Sequence, residues 1–233
     1  MLYREPLLWG TLQRRYKRFL ADVTLHDGRL VTVHVPNSGA MRGCAVPGSP
    51  VLVAAVAGRG RRLAWRLEQV VSGGVPVGVN TQLANSLAEE ALHLGLVTVP
   101  GLGEIRKVAR EVRLGESLRL DFRLTGSAGS SWVEVKNVSW AEGGVALFPD
   151  AVTARGARHL EAMAGRVAAG EPAALVYVVQ RGDARAVRAA VEVDRGYAAA
   201  LAAARQAGVQ VLAVQVVVAP HRLLPWRALP VMM

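Results

Sequence analysis

The stretch that decides the fold is L-R-L-D-F-R-L at residues 118–124, followed after a Gly/Ser turn by W-V-E-V-K-N-V at residues 132–138. Apolar and polar residues alternate in both stretches, which is the period of half-buried β-strands. We therefore predict two paired strands whose polar face brings together Asp121, Glu134 and Lys136. The apolar residues of the first stretch are expected to share the opposite face: Leu118, Leu120, Phe122 and Leu124.

The three polar residues suggest a metal site. Two carboxylates on rigid strands can hold Mg²⁺ or Mn²⁺ through oxygen ligands, and the ammonium group of Lys136 can orient water or stabilise phosphate charge. The alternative is an exposed sheet face on which Glu134 pairs with Arg119 or Arg123 and Lys136 is solvated. The pattern of Asp121 followed by E-x-K resembles the PD-(D/E)xK nuclease superfamily. That resemblance implies a restriction-endonuclease-like domain and divalent-metal-dependent cleavage of phosphodiesters.

Two domains are predicted from the change of hydrophobic period. Up to about residue 80 the chain has period-2 segments at 11–25, 29–35, 50–56, 62–72 and 75–79. Five strands in series favour an OB-like β-barrel, a fold that often binds nucleic acid. From Asn80 the period is helical, with Asn80 or Thr81 as N-cap. We expect residues 1–80 to form the barrel and residues 81–233 to form a mixed-sheet α/β (α+β) domain.

Further candidate residues lie on the predicted helices and on one strand. On the first helix Glu90 is a candidate third metal ligand, Glu89 is the competing choice, and a solvated carboxylate is the alternative. A second helix is predicted from Asp150 to about residue 168, with Asp150 best explained as its N-cap. The same helix places Arg155 and His159 one turn apart, either on the surface or in contact with phosphate. Gln180 ends a buried strand, where it either completes the site or emerges into solvent.

Composition points to a polyanionic partner. The net charge is +10 and the pI is near 10.9, so Arg and Lys side chains can gain free energy by releasing counterions from nucleic-acid phosphates. Cys44 is the single cysteine, which excludes an intramolecular disulfide and a Cys-based zinc cluster. No stretch approaches the length of a membrane span or a signal peptide, so we expect a cytoplasmic protein.

Two basic segments of the predicted barrel are candidate nucleic-acid contacts. In residues 14–18, alternation would place Arg14, Tyr16 and Arg18 on one face as a basic strip with an aromatic platform for a base. Arg15 and Lys17 add charge on the other face. The alternative is an ordinary charged outer surface. A second basic loop is predicted from three further arginines: Arg59, Arg61 and Arg62.

Seven blocks resemble the sugar fermentation stimulation protein A family: Q-R-R-Y-K-R-F-L-A-D-V, V-P-N-S-G-A-M-R-G-C, G-V-N-T, L-R-L-D-F, V-E-V-K-N-V, F-P-D-A-V-T-A-R-G-A-R-H-L and V-V-Q-R. The resemblance implies an OB-like domain, a nuclease-like domain, DNA binding and a regulatory role in sugar use. It puts Asp121, Glu134 and Lys136 on the nuclease-like motif and Glu90 on the acidic position of the preceding helix. Leu118 and Val35 stand where the family usually has Ser and Cys.

The leading hypothesis is a DNA-binding protein with a divalent-metal-dependent nuclease site. The alternative is a non-catalytic, largely sequence-nonspecific DNA-binding regulator of sugar metabolism. A third possibility is a basic protein whose partner is RNA, and single-stranded DNA is also compatible with the pattern.

Overall fold

The N-terminal part of the chain is a closed barrel. The computed structural model describes residues 1–3, 5–56, 63–115 and 118–232. The first sheet has the order β3-β2-β1-β4-β5-β6, and a further pairing of β3 with β5, between His34 and Arg66, closes it. The predicted barrel is therefore confirmed. Its strands are β1 (Leu7–Tyr16), β2 (Leu20–Leu25), β3 (Leu30–His34), β4 (Pro50–Ala55), β5 (Trp65–Ser72) and β6 (Val75–Gly78).

One part of the barrel prediction is wrong. Residues 11–25 are not a single strand, because β1 ends at Tyr16 and β2 pairs back on it from Leu20. Lys17 and Arg18 make the reversal with positive φ angles of 49° and 63°. Such a turn usually contains Gly or Asn, so the sequence carried no turn signal. Arg18 therefore does not extend the strand face of Arg14 and Tyr16.

The rest of the chain is a mixed sheet covered by helices, as predicted. Asn80 caps a 3₁₀ turn (Thr81–Leu83), since its side chain accepts a hydrogen bond from the backbone N–H of Gln82 at 3.1 Å. The elements that follow are α1 (Ala84–His93), β7 (Ile105–Leu114), β8 (Leu118–Gly126), β9 (Ser130–Val138), β10 (Ala141–Glu142), β11 (Val145–Phe148), α2 (Ala154–Ala168), β12 (Ala173–Val179), β13 (Ala186–Ala189), α3 (Arg195–Gln206), β14 (Gln210–Ala219) and β15 (Arg222–Ala228).

The main sheet of this part has the order β15-β14-β12-β9-β8-β7. Its centre is parallel, because β12 pairs in parallel with both β9 and β14, whereas the outer pairs are antiparallel. A small sheet, β10-β11-β13, lies apart from it and was not predicted. Among the described residues, no helix is long and apolar enough to cross a membrane.

The sheet has a core on each side. One core contains Leu87 of α1 with Phe122 and Leu124, and the other contains Leu160 and Met163 of α2. Leu120 belongs to the second core although Phe122 belongs to the first. The prediction that residues 118–124 keep their apolar side chains on one face is therefore wrong at Leu120, which lies beyond the point where β8 stops pairing with β9.

Candidate metal and nucleic-acid site

Asp121 lies where β8 leaves β9. The backbone pairing of the two strands runs from Thr125↔Ser130 to Phe122↔Val133 and ends there. At the next position of β8 the Asp121 side chain replaces the backbone as the partner of β9, since its Oδ2 accepts a hydrogen bond from the backbone N–H of Val135 at 2.7 Å. Its Oδ1 accepts another from Asn85 Nδ2 on α1 at 2.8 Å. Asp121 is thus fixed between the sheet and a helix.

Glu134 is the centre of a second set of contacts. One of its oxygens, Oε1, accepts hydrogen bonds from Lys136 Nζ and His159 Nδ1, both at 2.5 Å. Since Arg155 Nε donates to His159 Nε2 at 3.2 Å, the His159 proton lies on Nδ1. The other oxygen, Oε2, is buried and has no hydrogen-bond partner. An unpartnered buried carboxylate oxygen is costly, and this one leaves a position open for a cation.

The alternative of an exposed sheet face does not hold. Glu134 is 3 % exposed and pairs with Lys136 and His159 rather than with a neighbouring arginine. Arg123 instead donates to Ser130 and pairs with Glu171. The structure therefore brings together the predicted triad of Asp121, Glu134 and Lys136 in a largely buried position.

The pKa values of the two carboxyl groups are shifted in opposite directions. Burial, and then the negative charge of Glu134, raise the pKa of Asp121 to about 6. Burial also acts to raise the pKa of Glu134, but the hydrogen bond from His159 and the charge of Lys136 outweigh it, so that pKa is lowered. Glu134 is therefore ionised at neutral pH, and Asp121 carries an unfavourable charge that a cation would offset.

The triad lies in a cleft of about 660 Å³ between the barrel and the α/β domain. The barrel contributes Arg18 and residues 37–39, and the α/β domain contributes the triad together with residues 147–153. Arg119 and Arg155, both exposed, also line the cleft. Cationic side chains of this kind are suited to phosphate groups, so the cleft combines a carboxylate pair with positive charge.

Comparisons with known proteins agree with this architecture. Residues 14–79 match the SfsA N-terminal OB domain and residues 82–222 match the Sugar fermentation stimulation protein RE domain. A Sugar fermentation stimulation protein homolog of Pelobacter propionicus is 47 % identical over 229 residues, which are 98 % of each chain. The chain belongs to the sugar fermentation stimulation protein family. A homolog of Geobacter metallireducens is also 47 % identical and covers 98 % of each chain.

A solved structure extends this family likeness to the whole fold. It is described as Pyrococcus furiosus SfsA in complex with Ca²⁺, is 26 % identical, and matches with a TM-score of 0.89 over 100 % of this chain and 98 % of the other. The family and the OB-like barrel inferred from the sequence are thus confirmed.

The structure does not bring Glu90 to the triad, although the family resemblance placed it at the site. The Glu90 carboxylate forms an ion pair with the N-terminal ammonium of Met1 at 3.1 Å. Glu89, the competing choice, pairs with Arg110 at 2.7 Å. Asn85 contacts Asp121 from the same helix. Glu90 follows five residues later, on a different side of the helix. Among the described residues, no group of three or more His, Cys, Asp and Glu could hold a metal ion.

Helix α2 supplies His159 in a way that was not predicted. His159 is 3 % exposed and bonds to Glu134, so its surface placement was wrong, whereas Arg155 is exposed. The cap prediction for Asp150 is also wrong, since the side chain of Thr153 caps α2 through Gly156 N–H at 3.0 Å.

Asp150 connects the two domains instead. Its Oδ2 accepts a hydrogen bond from Met41 N–H at 2.7 Å, and its carbonyl oxygen accepts one from Arg42 Nε at 2.9 Å. Gly39 approaches the same carboxylate so closely that a Cβ there would lie 2.4 Å from Asp150 Oδ1. The barrel wall of the cleft is therefore packed directly on the α/β domain.

Gln180 neither lines the cleft nor emerges into solvent. It is fully buried, and its Nε2 donates to Asn137 Oδ1 at 2.5 Å and to the carbonyl oxygen of Asn80 at 3.3 Å. Its backbone carbonyl accepts from Gly78 N–H at 2.9 Å. Gln180 thus joins β12 to the barrel, and its neighbour Asn137 is the one that lines the cleft.

The basic residues at positions 14–18 of the barrel make different contacts. Arg14 pairs with Asp22 at 2.8 Å and lies over the ring of Tyr16. Arg15 donates to four backbone carbonyls at residues 18, 37, 39 and 40, at 2.8 to 3.0 Å. Lys17 and Arg18 form the exposed hairpin turn. The predicted basic loop of Arg59, Arg61 and Arg62 lies outside the described residues.

Sequence reasoning missed three parts of the site. Asn85 sits on a helix whose apolar spacing gave no sign of which polar residue faces the sheet. Residues 37–39 enter the cleft only through the packing of the domains, and Glu111 enters it from β7, between the positions that pair with Leu120 and Phe122. Glu111 has a positive φ of 52°, a conformation that the sequence does not signal in a non-glycine residue.

Proposed function

We propose that the chain binds nucleic acid and hydrolyses phosphodiesters with a divalent metal ion, Mg²⁺ or Mn²⁺, at Asp121, Glu134 and Lys136. The observation that carries this proposal is the buried, unpartnered Oε2 of Glu134. Asp121 lies in the same cleft, and the negative charge of Glu134 helps to raise the pKa of Asp121. A buried and a half-buried carboxylate with an open oxygen are suited to a hard cation. A cytoplasmic location belongs to the same proposal, because a lone cysteine fits a reducing compartment.

The residues present fit such an ion. Asp121 and Glu134 would hold it, and the carbonyl group of Val135, which also lines the cleft, is a further candidate ligand. The relative from Pyrococcus furiosus is described as a Ca²⁺ complex, and Ca²⁺ shares the preference of Mg²⁺ for oxygen ligands. When bound, the ion would supply Lewis-acid stabilisation of the phosphate and lower the pKa of a water molecule.

Each residue of the site has a distinct role in this proposal. Lys136 stabilises the extra negative charge that develops on the phosphate in the transition state. His159 and Lys136 both occupy Oε1 of Glu134 and thereby keep Oε2 free for the cation. Arg18, Arg119 and Arg155 would bind the flanking phosphates of the strand. Binding through phosphates is independent of base sequence.

The rival function is non-catalytic binding of DNA, with a regulatory role in sugar metabolism. One observation favours it: Lys136 and His159 already satisfy one oxygen of Glu134, so the cluster can persist as a buried ion pair without a metal. The names of the relatives describe stimulation of sugar fermentation and no chemistry. Metal binding and cleavage separate the two functions.

The test combines calorimetric titration with a cleavage assay. Mg²⁺ and Mn²⁺ are titrated into the wild type, Asp121→Asn and Glu134→Gln, and each protein is then incubated with labelled single- and double-stranded DNA and RNA. We expect the wild type to bind metal and cleave, and both variants to lose most metal binding, because an amide oxygen neutralises none of the ion's charge. Equal metal affinity in all three proteins would refute the site, and metal binding without cleavage would favour the rival.

A further inference from the structure

The volume of the cleft suits part of one nucleic-acid strand. Its volume of about 660 Å³ falls within the range of roughly 300 to 1,000 Å³ that encloses small organic ligands. That is room for a short run of nucleotides. Glu134 and its two hydrogen-bond partners are shielded from solvent, since the side chains of Glu134 and His159 are each 4 % exposed and that of Lys136 is 14 % exposed.

The barrel wall of this cleft is held in place. Arg15 ties the hairpin turn to residues 37–40 through four carbonyls. On the other side, Asp150 binds Met41 and Arg42, while Arg42 also lies over the ring of Trp140 at 5.2 Å. Opening the cleft wide enough for a duplex would break these contacts together.

The hairpin turn at the mouth of the cleft has features of a strand-binding element. Lys17 and Arg18 are consecutive non-glycine residues with positive φ, a conformation that costs free energy and is concentrated at functional sites. The turn presents Arg18 to the cleft. Phe19 follows directly and is 46 % exposed. A cationic residue followed in sequence by an exposed aromatic one combines a group that binds a phosphate with one on which a base of a single strand can stack.

We infer that the cleft accepts a single nucleic-acid strand or a frayed strand end, and excludes the interior of a duplex, with Arg18 and Phe19 forming part of the strand path. This inference rests on the proposed function and names its substrate class. The shared chemistry is an unpaired sugar-phosphate strand. DNA and RNA are both sources of it and are separate arms of the test.

The test uses the full chain and four labelled nucleic acids of matched sequence. These are single-stranded DNA, single-stranded RNA, a duplex with a single-stranded overhang, and a duplex closed by hairpin loops too short to enter the cleft. Affinity is measured by fluorescence anisotropy in EDTA and cleavage is measured with Mn²⁺. We expect at least one single strand and the overhang to bind about tenfold more tightly than the closed duplex, and the closed duplex to stay uncut.

Variants test the strand path. Arg18→Asn removes the charge with a residue that tolerates positive φ, and Phe19→Ala removes the ring. Each should weaken single-strand binding by about tenfold, while Arg29→Gln, at another barrel hairpin where Arg29 pairs with Asp27, should leave it unchanged. Equal affinity in all variants, or equal binding of the closed duplex and the single strands, would overturn the inference.

The outcomes separate this inference from the function on which it rests. Internal cleavage of the closed duplex at the single-strand rate would overturn the inference and leave the nuclease proposal standing. Single-strand preference without cleavage or metal binding would support the inference and refute the nuclease chemistry.

Discussion

The carboxylate of Asp121 accepts a hydrogen bond from the backbone N–H of Val135 at 2.7 Å, immediately beyond the point where β8 and β9 stop pairing. A side chain of β8 therefore satisfies a β9 N–H that has no backbone partner on β8. Glu134 lies directly beyond the last paired position of the two strands, between Val133 and Val135. The geometry of the site follows from one departure from a regular hairpin.

Asp121→Asn should stabilise the metal-free protein at neutral pH. Asn can keep both contacts of Asp121, accepting from Val135 N–H and donating to a reoriented Asn85 amide. Because the folded-state pKa of Asp121 is raised from 3.8 to about 6, this group favours folding below pH 4 and loses that contribution as pH rises through 6. We expect the variant to gain about 1 to 3 kcal/mol relative to the wild type at pH 7.5.

The measurement is urea denaturation of both proteins in EDTA at pH 4.5 and pH 7.5. The difference between the variant and the wild type should grow between these two values. A difference that stays constant across this range would mean that Asp121 is not under unfavourable charge in the fold.

Lys136→Ala should separate metal binding from catalysis. Lys136 donates to Glu134 rather than acting as a ligand, so the variant should still bind Mn²⁺ in a calorimetric titration. Cleavage should fall by about 100-fold or more, as on removal of a group that stabilises transition-state charge. Lys107→Ala, which removes an exposed lysine of β7, is the matched control. Unchanged cleavage in Lys136→Ala would exclude this role.

His159→Phe should destabilise the fold. It removes the Nδ1–H donor from the buried Glu134, and loss of one partner of a buried charged group costs about 1 to 3 kcal/mol. His159→Asn should lose less, because its amide can donate from a similar position. Arg158→Ala, at an exposed position of the same helix, serves as the control in chemical denaturation. Equal stability of the wild type and His159→Phe would show that the contact adds nothing.

The affinity for nucleic acid should fall steeply with salt concentration. Contacts of arginine with phosphate release counterions, so a plot of log affinity against log salt should have a clear negative slope. Arg18→Asn should reduce that slope by about 1. Arg14→Gln should change it less, because Arg14 is already paired with Asp22. A salt-independent affinity would contradict phosphate binding altogether.

Gly39→Ala should disturb the contact between the domains. The added Cβ would lie 2.4 Å from the Asp150 carboxylate, so the loop or the side chain must move, at a cost of about 1 to 3 kcal/mol. The double variant Gly39→Ala/Asp150→Ala should lose less stability in thermal denaturation than the sum of the two single variants, since the shorter side chain at position 150 removes the clash. Ser38→Ala, at an exposed neighbour, should have little effect. Strictly additive losses would show that the two residues do not interfere.

The sequence by itself predicted the barrel, most of the strands and helices that follow it, and the residues of the candidate site. Alternation in residues 118–124 and 132–138 predicted the two strands that carry Asp121 and Glu134, and the change of period at Asn80 predicted where helices begin. These features depend on neighbouring residues along the chain, and the family resemblance implies the same two domains. The hairpin at Lys17 and Arg18 was missed because its residues are not typical of a turn.

The tertiary structure alone decided which side chains meet. Glu90 and Asn85 lie on one helix, and only the packing of α1 on the sheet places Asn85 at Asp121 and Glu90 at Met1. His159 reaches Glu134 because α2 covers the opposite face of the sheet. The cleft itself depends on contacts between residues more than one hundred positions apart, such as Met41 and Asp150. Local sequence patterns carry no information on such pairs, since their approach depends on how whole elements pack.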